Sequence, residues 1–489
     1  MKNVKDYNHL ILIFSIIVSS YFLYSSRYYA LLNSDDALNI LMAHNYKWPQ
    51  DIYCWGQNRG GTLIAVLAQP FIKLFSFKAI NAVSVANYLV LILGYFCFSS
   101  LFKNNFSKVV FAVIWFLPFQ RFVDITRFPI GVEYSLIAVL IILLNSLSKT
   151  DSVLKKNLLL ISVLLISLIA IWVSDLAIVS ICNLFFVSLL FNYFKNKKFS
   201  NDKTILIYFL VGIVFVFLSI NYVKSIVNVQ NDNYLLLNNF NEIIRALVVL
   251  VNANFDVLVF KTKEILVSIY ALLTVLFLLF LTAFIIKKKL VKNLFLNQWI
   301  AFFLLDFIII FIVFLVASWV LANGMGRWYF VATYISLSLL VLLIIEQLNK
   351  YNLKLKFFKF ALLIIVLVGA ISPVYSMKYK NPKRLIPMTD IIVEFNKLGK
   401  IGVIGEYWNS YIISCANPDS IVATPHDMCE IKNKAFVGEV FSRKNIYVVR
   451  DMWMDYFPDT LLQFGNILIQ DGKPFELGDC KVCKYKKIK

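Results

Sequence analysis

Two adjacent carboxylates near the start of the chain, Asp35 and Asp36, are the residues best suited to carry out chemistry. They open a polar stretch, residues 33–61, that lies between hydrophobic segments and also holds a third carboxylate, Asp51. An ionised aspartate can take the proton of a hydroxyl or amide nucleophile as that nucleophile attacks a carbon centre. Carboxylates beside a membrane span are costly unless they are solvated or paired, which makes them functional candidates. The alternative is that Asp35 caps a helix over 37–45, with Asp36 in its first turn.

The composition indicates a membrane protein. Of the 489 residues, 60% are hydrophobic, whereas soluble domains are about 45–50% apolar. The formal net charge is +20, but the lysines cluster in short loops between apolar segments. That arrangement is typical of the positive-inside rule and argues against a nucleic-acid partner.

Eleven segments are predicted to span the bilayer, since a spanning helix needs about 20 mostly apolar residues. The predicted spans are 9–25, 79–102, 108–120, 131–148, 157–173, 176–194, 204–224, 264–286, 298–322, 328–348 and 359–377. We expect the first to be an uncleaved span, because no small-residue cleavage site follows it. The interrupted segment 62–76 favours an interfacial helix.

The lysine-rich loops alternate along the chain, which sets the predicted orientation. The N-terminus is expected inside, and the loops 26–78, 121–130, 174–175, 225–263 and 323–327 outside. The tail is also expected outside, although Lys378, Lys380, Lys383 and Arg384 flank the last span on that side and conflict with the rule.

A glycine-rich turn closes the first outer loop, at residues 53–61 (YCWGQNRGG). An acidic pair soon after the first span, then an amphipathic helix, then an aromatic-Gly-Gln-x-x-Gly turn resembles the GT-C superfamily of membrane glycosyltransferases. The resemblance is closest to the bacterial relatives of the protein O-mannosyltransferases and aminoarabinose transferases. It implies a donor sugar linked to a polyprenyl phosphate. The alternative for the turn is a plain loop with packed aromatics.

The resemblance also assigns roles to residues of this loop. It makes Asp35 the catalytic base or the residue that positions the nucleophile. The family often has Glu at the next position, where this chain has Asp36. Tyr53, Trp55 and Gln57 are predicted to bind substrate. No cofactor is required; a divalent metal at Asp35 and Asp36 is compatible with the sequence, but two carboxylates without a His cluster do not demand one.

Arginines in the outer loops are candidates for holding the donor's phosphate, because a guanidinium binds phosphate through paired hydrogen bonds. The family carries an arginine at a position comparable to Arg327. The further candidates are Arg59, Arg121 and Arg127. Snorkelling and local pairing with Asp124 explain the last two equally well.

Three further carboxylates accompany the outer loops or the spans. Glu133, near the start of a span, fits the family's second outer loop loosely and is a substrate-binding candidate. Asp175 is predicted either to bind sugar hydroxyls or to cap the following helix. Asp306 lies within a predicted span without an obvious partner and is interpreted as a structural hydrogen-bonding residue.

The hydropathy falls after Lys378, and residues 378–489 are predicted to form a small outer α/β domain beside a membrane domain of residues 1–377. Strands are expected at 399–405, 420–423 and 445–449, a helix at 406–414, and a terminal hairpin over 464–475 that turns at Asp471-Gly472. Segment 406–411 (EYWNSY) is weakly similar to the outer domain of some family members. Cys480 and Cys483 are predicted to form a disulfide or to remain free, as are Cys415 and Cys429.

The sequence thus predicts a mainly α-helical, polytopic protein of GT-C type with a small C-terminal α/β domain. It would transfer a sugar from a polyprenyl-phosphate donor to a glycan, lipid or protein acceptor at the outer face of the bacterial inner membrane. A transporter or flippase is the alternative from another class, yet repeats and midplane charges are lacking. A polysaccharide polymerase or ligase is a further alternative.

Overall fold

The computed structural model describes residues 7–150, 152–196, 203–226, 236–349, 355–380 and 385–488. These residues form two compact units. The helical unit comprises residues 7–20, 89–225 and 236–380, and the loop–sheet unit comprises 21–88 and 385–488. The first outer loop, assigned from sequence to the membrane domain, therefore groups with the C-terminal residues. Two of the basic residues that conflict with the charge rule, Lys383 and Arg384, lie outside the described ranges. So do residues 227–235 of the predicted loop 225–263.

Nineteen α-helices run through the described residues. In chain order they are α1 Asn8–Tyr24, α2 Ser34–His44, α3 Leu63–Phe75, α4 Ala79–Ser99, α5 Asn105–Phe116, α6 Ile130–Leu147, α7 Val153–Val173, α8 Ala177–Asn196, α9 Lys203–Ile226, α10 Phe240–Leu258, α11 Ile265–Lys287, α12 Val291–Leu294, α13 Gln298–Val316, α14 Ser318–Ala322, α15 Val331–Asn349, α16 Lys356–Lys380, α17 Met388–Ile392, α18 Tyr407–Cys415 and α19 Lys434–Ser442.

Helices occupy all eleven predicted spans, and the chain is a multi-pass membrane protein. Among the described residues, seven helices are long and apolar enough to cross a bilayer, or eight if α5 and the 3₁₀ segment Gln120–Thr126, bent by 93°, form one span. The count of eleven stays a prediction, because α1 and parts of α8 and α9 are shorter apolar helices. Segment 62–76 does contain a helix, α3, as predicted.

The predicted span 298–322 contains a helix, α13, that is long and apolar enough to cross a bilayer, but its predicted end is wrong, because Ser318–Ala322 form a separate helix, α14. α13 ends where Ala317 becomes extended, and Ala317 forms a β-bridge with Leu237. The Asn238 amide donates to the Val316 carbonyl at 2.7 Å, and the Ser318 amide to the Leu236 carbonyl at 3.1 Å. These bonds from a neighbouring strand-like segment take the place of the helical ones, so the helix breaks there.

A fully buried carboxylate joins four helices of the helical unit. Asp306 of α13 accepts hydrogen bonds from Tyr134 Oη of α6 at 2.9 Å, Ser336 Oγ of α15 at 2.6 Å and Asn183 Nδ2 of α8 at 3.3 Å. The sequence suggested no partner for Asp306; the structure provides three donors. They satisfy a carboxylate that would otherwise be costly to bury, which agrees with its interpretation as a structural residue.

The C-terminal residues form a seven-stranded sheet in the order β2-β1-β3-β7-β5-β4, with β6 also paired to β7. The strands are β1 Ile401–Gly405, β2 Ile421–Pro425, β3 Ile446–Arg450, β4 Thr460–Gln463, β5 Asn466–Gln470, β6 Phe475–Leu477 and β7 Cys480–Lys487. β1 is parallel to β2 and β3, and the other pairs are antiparallel. The three strands and the helix predicted over 399–449 are confirmed.

The predicted hairpin that turns at Asp471-Gly472 is wrong. Its two halves, β5 and β6, do not pair with each other; both pair with the eight-residue strand β7. The hairpin turns lie instead at Phe464-Gly465 and Gly478-Asp479, where all four residues have positive φ. Asp471 holds the connection between β5 and β6 by ion pairs to Lys484 and Lys486 of β7.

The position of Cys480 and Cys483 on one strand argues against a disulfide between them. Residues three apart on a strand are about 10 Å apart, beyond the ~7 Å limit between the Cα atoms of a disulfide. Cys415, Cys429 and Cys483 are free cysteines, and the first and last are buried.

Candidate functional site

The loop between α2 and α3, predicted from the sequence to lie outside, is organised around Asp51 rather than around the acidic pair. Asp51 is buried. Its Oδ2 accepts from the Lys47 amide at 2.6 Å and its Oδ1 from Trp55 Nε1 at 2.8 Å. Thr62 Oγ1 donates to the Asp51 carbonyl at 2.7 Å. With both carboxylate oxygens engaged, Asp51 is a structural residue that fixes the loop between α2 and α3.

The glycine-rich turn is held by its own backbone. Tyr53 bridges to Gly61, and the Cys54 amide donates to the Gly60 carbonyl at 2.9 Å. Gly56 and Gly60 have φ of 71° and 70°, in the left-handed region that favours glycine. The turn therefore depends on both glycines.

The three substrate-binding candidates of this turn are packed to different degrees. Tyr53 is buried, while Trp55 and Gln57 are half-buried. The Trp55 ring meets the edge of Phe436, with ring centroids 5.2 Å apart. This packing fits the alternative of a turn with packed aromatics for Tyr53 and Trp55, and their role in substrate binding stays a prediction.

Helix α2 presents the acidic pair, and Asn33 caps it. The Asn33 side chain accepts from the Asp36 amide at 2.8 Å, so the alternative in which Asp35 is the cap is wrong. Asp36 lies in the first turn and is 9% exposed, whereas Asp35 is exposed. The two neighbours therefore differ in access, and Asp35 is the one that a solvent-borne group can reach.

A tyrosine from the C-terminal sheet region binds Asp35. Tyr407 Oη donates to Asp35 Oδ1 at 2.8 Å, and Ser34 Oγ donates to the Tyr407 carbonyl at 2.5 Å. Sequence reasoning did not include Tyr407 in the site. The signal that could have found it is the segment EYWNSY directly after β1, since polar groups at the carboxyl ends of parallel strands often form sites.

Two cations lie in the same neighbourhood. Lys432 Nζ is 6.0 Å from the centroid of the Tyr407 ring and 2.6 Å from Glu430 Oε1. Burial raises the pKa of the Cys54 thiol to about 12, with Asp35 raising it further and Lys432 and Arg59 opposing the rise. Cys54 therefore stays neutral, and Asp35, Lys432 and Arg59 are close enough to act on it electrostatically.

A metal site at Asp35 and Asp36 would need ligands beyond these two carboxylates, because hard divalent cations take six or more oxygen ligands. Among the described residues, no group of three or more His, Cys, Asp or Glu side chains could hold a cation. A divalent metal at Asp35 and Asp36 stays a possibility that the sequence raised.

The helical unit places two of the predicted arginines, Arg327 and Arg127, at Asp124, and a third, Arg121, at Glu264. Arg327 donates to Asp124 Oδ2 at 2.9 Å and to the Arg121 carbonyl at 2.6 Å. Arg127 is 3.7 Å from Asp124 Oδ1, and Arg121 pairs with Glu264 at 3.0 Å. Local Arg–Asp pairing, the alternative weighed for Arg121 and Arg127, is thus present for Arg127.

These three arginines differ in their access to solvent. The side chains of Arg327 and Arg121 are 42% and 35% exposed, and that of Arg127 is 11% exposed. A guanidinium has five N–H donors, so Arg327 and Arg121 retain donors for an anion in addition to those that bind their protein partners. Arg127 is chiefly a packed residue.

Glu133 and Asp175 occupy contrasting positions in the same unit. Glu133 is fully buried near the start of α6, with Ser174, Asp175 and Asp306 among its polar neighbours. Asp175 is exposed and forms an ion pair with Lys224 at 2.8 Å. Substrate binding by either residue stays a prediction.

Three solved structures are similar to the chain over most of its length. The Archaeoglobus fulgidus oligosaccharyltransferase, in complex with Zn and sulfate, is 13% identical with a TM-score of 0.45, over 90% of this chain and 68% of that one. ArnT from Cupriavidus metallidurans in the apo state is 8% identical with a TM-score of 0.45, over 97% of each chain. The same protein bound to undecaprenyl phosphate is 9% identical with a TM-score of 0.44, over 98% of each chain. No protein-family model and no curated protein matches the chain.

The chemistry available in the loop–sheet unit is proton transfer. Asp35 is exposed, one of its oxygens is held by Tyr407, and among the described residues Oδ2 has no hydrogen-bond partner. A carboxylate oxygen in this state can accept a proton from a bound hydroxyl or amide. Arg59 and Lys432 supply positive charge nearby, where an anionic group of a substrate would be stabilised.

Proposed function

We propose that the chain is a membrane glycosyltransferase that moves a sugar from a polyprenyl-phosphate-linked donor to a glycan, lipid or protein acceptor. The reaction would take place at the outer face of the bacterial inner membrane, where the positive-inside rule places the Asp35 loop. The observation that carries this proposal is the state of Asp35. It is an exposed carboxylate, held through one oxygen and open at the other, at the start of a capped helix.

The proposed reaction is a single displacement in which Asp35 is the general base. The acceptor oxygen or nitrogen attacks the anomeric carbon, the bond from that carbon to the phosphate oxygen breaks, and Asp35 Oδ2 takes the acceptor's proton. Attack from the side opposite the leaving group inverts the anomeric centre. The product lipid is the polyprenyl phosphate, which carries the charge gained when the bond breaks.

Arginines are proposed to stabilise that charge on the leaving phosphate. Within the loop–sheet unit the candidate is Arg59, which lies near Cys54 as Asp35 does. In the helical unit the candidates are Arg327 and Arg121, whose side chains retain exposure. Preorganised cations lower the barrier to departure of an anionic leaving group.

The test is complementation of a strain that lacks the protein, followed by mass spectrometry of its lipids and envelope glycans. Cells without the protein should accumulate a polyprenyl-phosphate sugar and lose that sugar from one acceptor. The wild-type chain should restore transfer, while Asp35→Asn, present in the membrane at the same level, should not. Full restoration by Asp35→Asn would overturn the role of Asp35, and an unchanged lipid pool in the deletion strain would overturn the function itself.

A further inference from the structure

The contact between Tyr407 and Asp35 joins residues 372 positions apart in the sequence. Tyr407 is the first residue of α18, directly after β1 and Glu406. Its carbonyl is bound by Ser34, the residue before Asp35. Two hydrogen bonds therefore tie the start of α18 to the start of α2, one through a backbone atom and one through a side chain.

The Tyr407 ring is confined on several sides. It meets Trp408 and Tyr411 edge-on, with centroid distances of 5.1 Å and 5.6 Å, and Lys432 Nζ lies 6.0 Å from its centroid. A ring packed in this way holds its hydroxyl in one direction. The hydroxyl is directed at Asp35 Oδ1.

The hydroxyl must act as the donor in this bond. Burial raises the pKa of Tyr407 far above its usual value, and the negative charge of Asp35 raises it further. Tyr407 therefore keeps its proton throughout the neutral range. Asp35 Oδ1 accepts the hydrogen bond from the Tyr407 hydroxyl, and Asp35 Oδ2 is left to accept a proton from a substrate.

We propose that Tyr407 is a positioning residue for the Asp35 general base: its hydroxyl fixes Oδ1, so that Oδ2 is directed to the acceptor's proton. This inference rests on the glycosyltransferase function proposed above. The acceptor proton passes to Oδ2 and later to water, while the Tyr407 proton stays on its oxygen, so the tyrosine is unchanged by the reaction. The C-terminal α/β domain would then contribute a residue to the reaction.

The competing explanation is that Tyr407 only packs the domain against the loop. The two explanations differ in what depends on the hydroxyl. A packing role would lower the amount of folded protein, and a positioning role would lower the rate at saturating substrate. Tyr411 provides a matched control, because it lies on the same helix, is fully buried, and accepts from the Lys432 amide at 3.0 Å without contacting Asp35.

The experiment measures steady-state transfer by purified protein in nanodiscs, with the polyprenyl-phosphate sugar that accumulates in the deletion strain as donor. Tyr407→Phe should lower kcat about tenfold or more, the effect of losing a hydrogen bond to a charged group, with KM for donor and acceptor within about twofold because the base acts in the transition state. Tyr411→Phe should keep kcat within about threefold of wild type. Unchanged kcat in Tyr407→Phe, with active wild-type enzyme, would overturn the inference and leave the proposed function intact.

A double mutant separates coupling from independent damage. If Tyr407 acts through Asp35, the Asp35→Asn, Tyr407→Phe protein should be no less active than Asp35→Asn alone. Equal fold losses from Tyr407→Phe in both backgrounds would contradict the inference.

Should Tyr407→Phe fail to fold, 2,3-difluorotyrosine at position 407 keeps the ring and the donor. That protein should retain kcat at or near the wild-type value, and a tenfold loss in a folded sample would count against positioning. Wild-type protein that transfers no sugar would remove the proposed function and this inference together.

Discussion

Asp35 and Asp306 are both aspartates of a membrane protein, and the structure places them in opposite states. Asp306 is 0% exposed and accepts hydrogen bonds from three side chains on three other helices. Asp35 is exposed and accepts one, from Tyr407. The carboxylate of Asp306 accepts its hydrogen bonds from the fold, whereas the carboxylate of Asp35 can still accept hydrogen bonds from another molecule.

This difference teaches how to distinguish a structural carboxylate from a reactive one. Asp51 supports the distinction, since it lies in the same loop as Asp35 but both of its oxygens are engaged. A carboxylate surrounded by fixed donors stabilises the elements that supply them. A carboxylate with a free oxygen at an exposed helix start can exchange protons.

Replacement of Asp306 by Ala should cost the most stability. It removes the shared acceptor and leaves Tyr134, Ser336 and Asn183 as buried donors facing an empty site. A broken buried polar network costs about 3–5 kcal/mol, so the yield and the melting temperature of detergent-purified protein should fall sharply. Asp35→Ala is the control, and its unfolding free energy should change by less than about 1 kcal/mol. Similar melting temperatures for the two variants would break the comparison.

The arginines of the helical unit should divide in the same way, into an exposed side chain that can bind an anion, Arg327, and a packed side chain, Arg127. Arg327→Ala should raise the concentration of a polyprenyl phosphate needed for half-saturation in nanodiscs by about 10- to 100-fold, because a charged hydrogen bond contributes about 1.5–3 kcal/mol. Arg127→Ala, which removes an 11% exposed side chain, should instead lower thermal stability. If Arg327→Ala binds the lipid as wild type does, Arg327 has no part in phosphate binding.

Gly56 and Gly60, the two glycines of the turn with a left-handed backbone conformation, offer a finer test of the surroundings of Asp35. Alanine at either position places a side chain in a left-handed conformation, a cost of about 1–2 kcal/mol. A Cβ at Gly56 would lie 3.1 Å from Lys432 Cδ and 3.2 Å from Lys432 Cα, whereas one at Gly60 would have only Cys54 Sγ nearby, at 3.6 Å. Gly56→Ala should therefore reduce transfer by several-fold more than Gly60→Ala. The measurement is kcat in samples that contain equal amounts of folded protein. Equal losses would mean that the packing of Lys432 against the loop does not affect Asp35.

Part of the site was predictable from the sequence, because its signals are local. An acidic pair after an apolar span, and arginines in loops that the charge rule places outside, can each be read within a few residues. The structure places Arg127 and Arg327 at Asp124 and Arg121 at Glu264, and the role of all three in phosphate binding stays a prediction. The strands β1 to β3 followed from short apolar runs bounded by glycine and polar residues.

The parts that failed depend on distant pairing. Nothing near Tyr407 states that its hydroxyl meets Asp35, since that contact arises only when α18 packs beside α2. The Asp471-Gly472 dipeptide is a sound local turn signal, yet β7 is long enough to pair with strands on both sides of it. Asp306 looked isolated because its donors come from three separate helices. In each case the tertiary partner decided the outcome, and a single sequence does not display it.

The smallest predicted effect concerns His426, a buried titratable group whose ring nitrogens contact the Met428 amide at 3.3 Å and the Cys429 thiol at 3.0 Å. His426 is 7% exposed, stacks on Trp453 with centroids 4.5 Å apart, and has its pKa lowered chiefly by burial, which Asp427 opposes. The folded state therefore binds fewer protons than the unfolded state in the pH range just below the usual histidine value of about 6.5. Its contribution to stability is complete above that value and is lost as pH falls through the lowered pKa. The slope is bounded by about 1.4 kcal/mol per pH unit for one proton.

The pH dependence of amide hydrogen exchange in β2 and β3 of the full-length protein measures this contribution. Protection in the wild type should decrease from pH 7 toward about pH 5 more steeply than in His426→Gln, which keeps a polar side chain but does not titrate. Glu406 provides the opposite sign, because burial and then Asp451 raise its pKa, so its contribution is lost as pH rises. A His426→Gln profile parallel to the wild type would show that burial of His426 does not disfavour its charged form. The distinction between buried groups whose polar atoms are hydrogen-bonded and exposed groups with a free acceptor would then hold for carboxylates such as Asp306 and Asp35 but not for this imidazole.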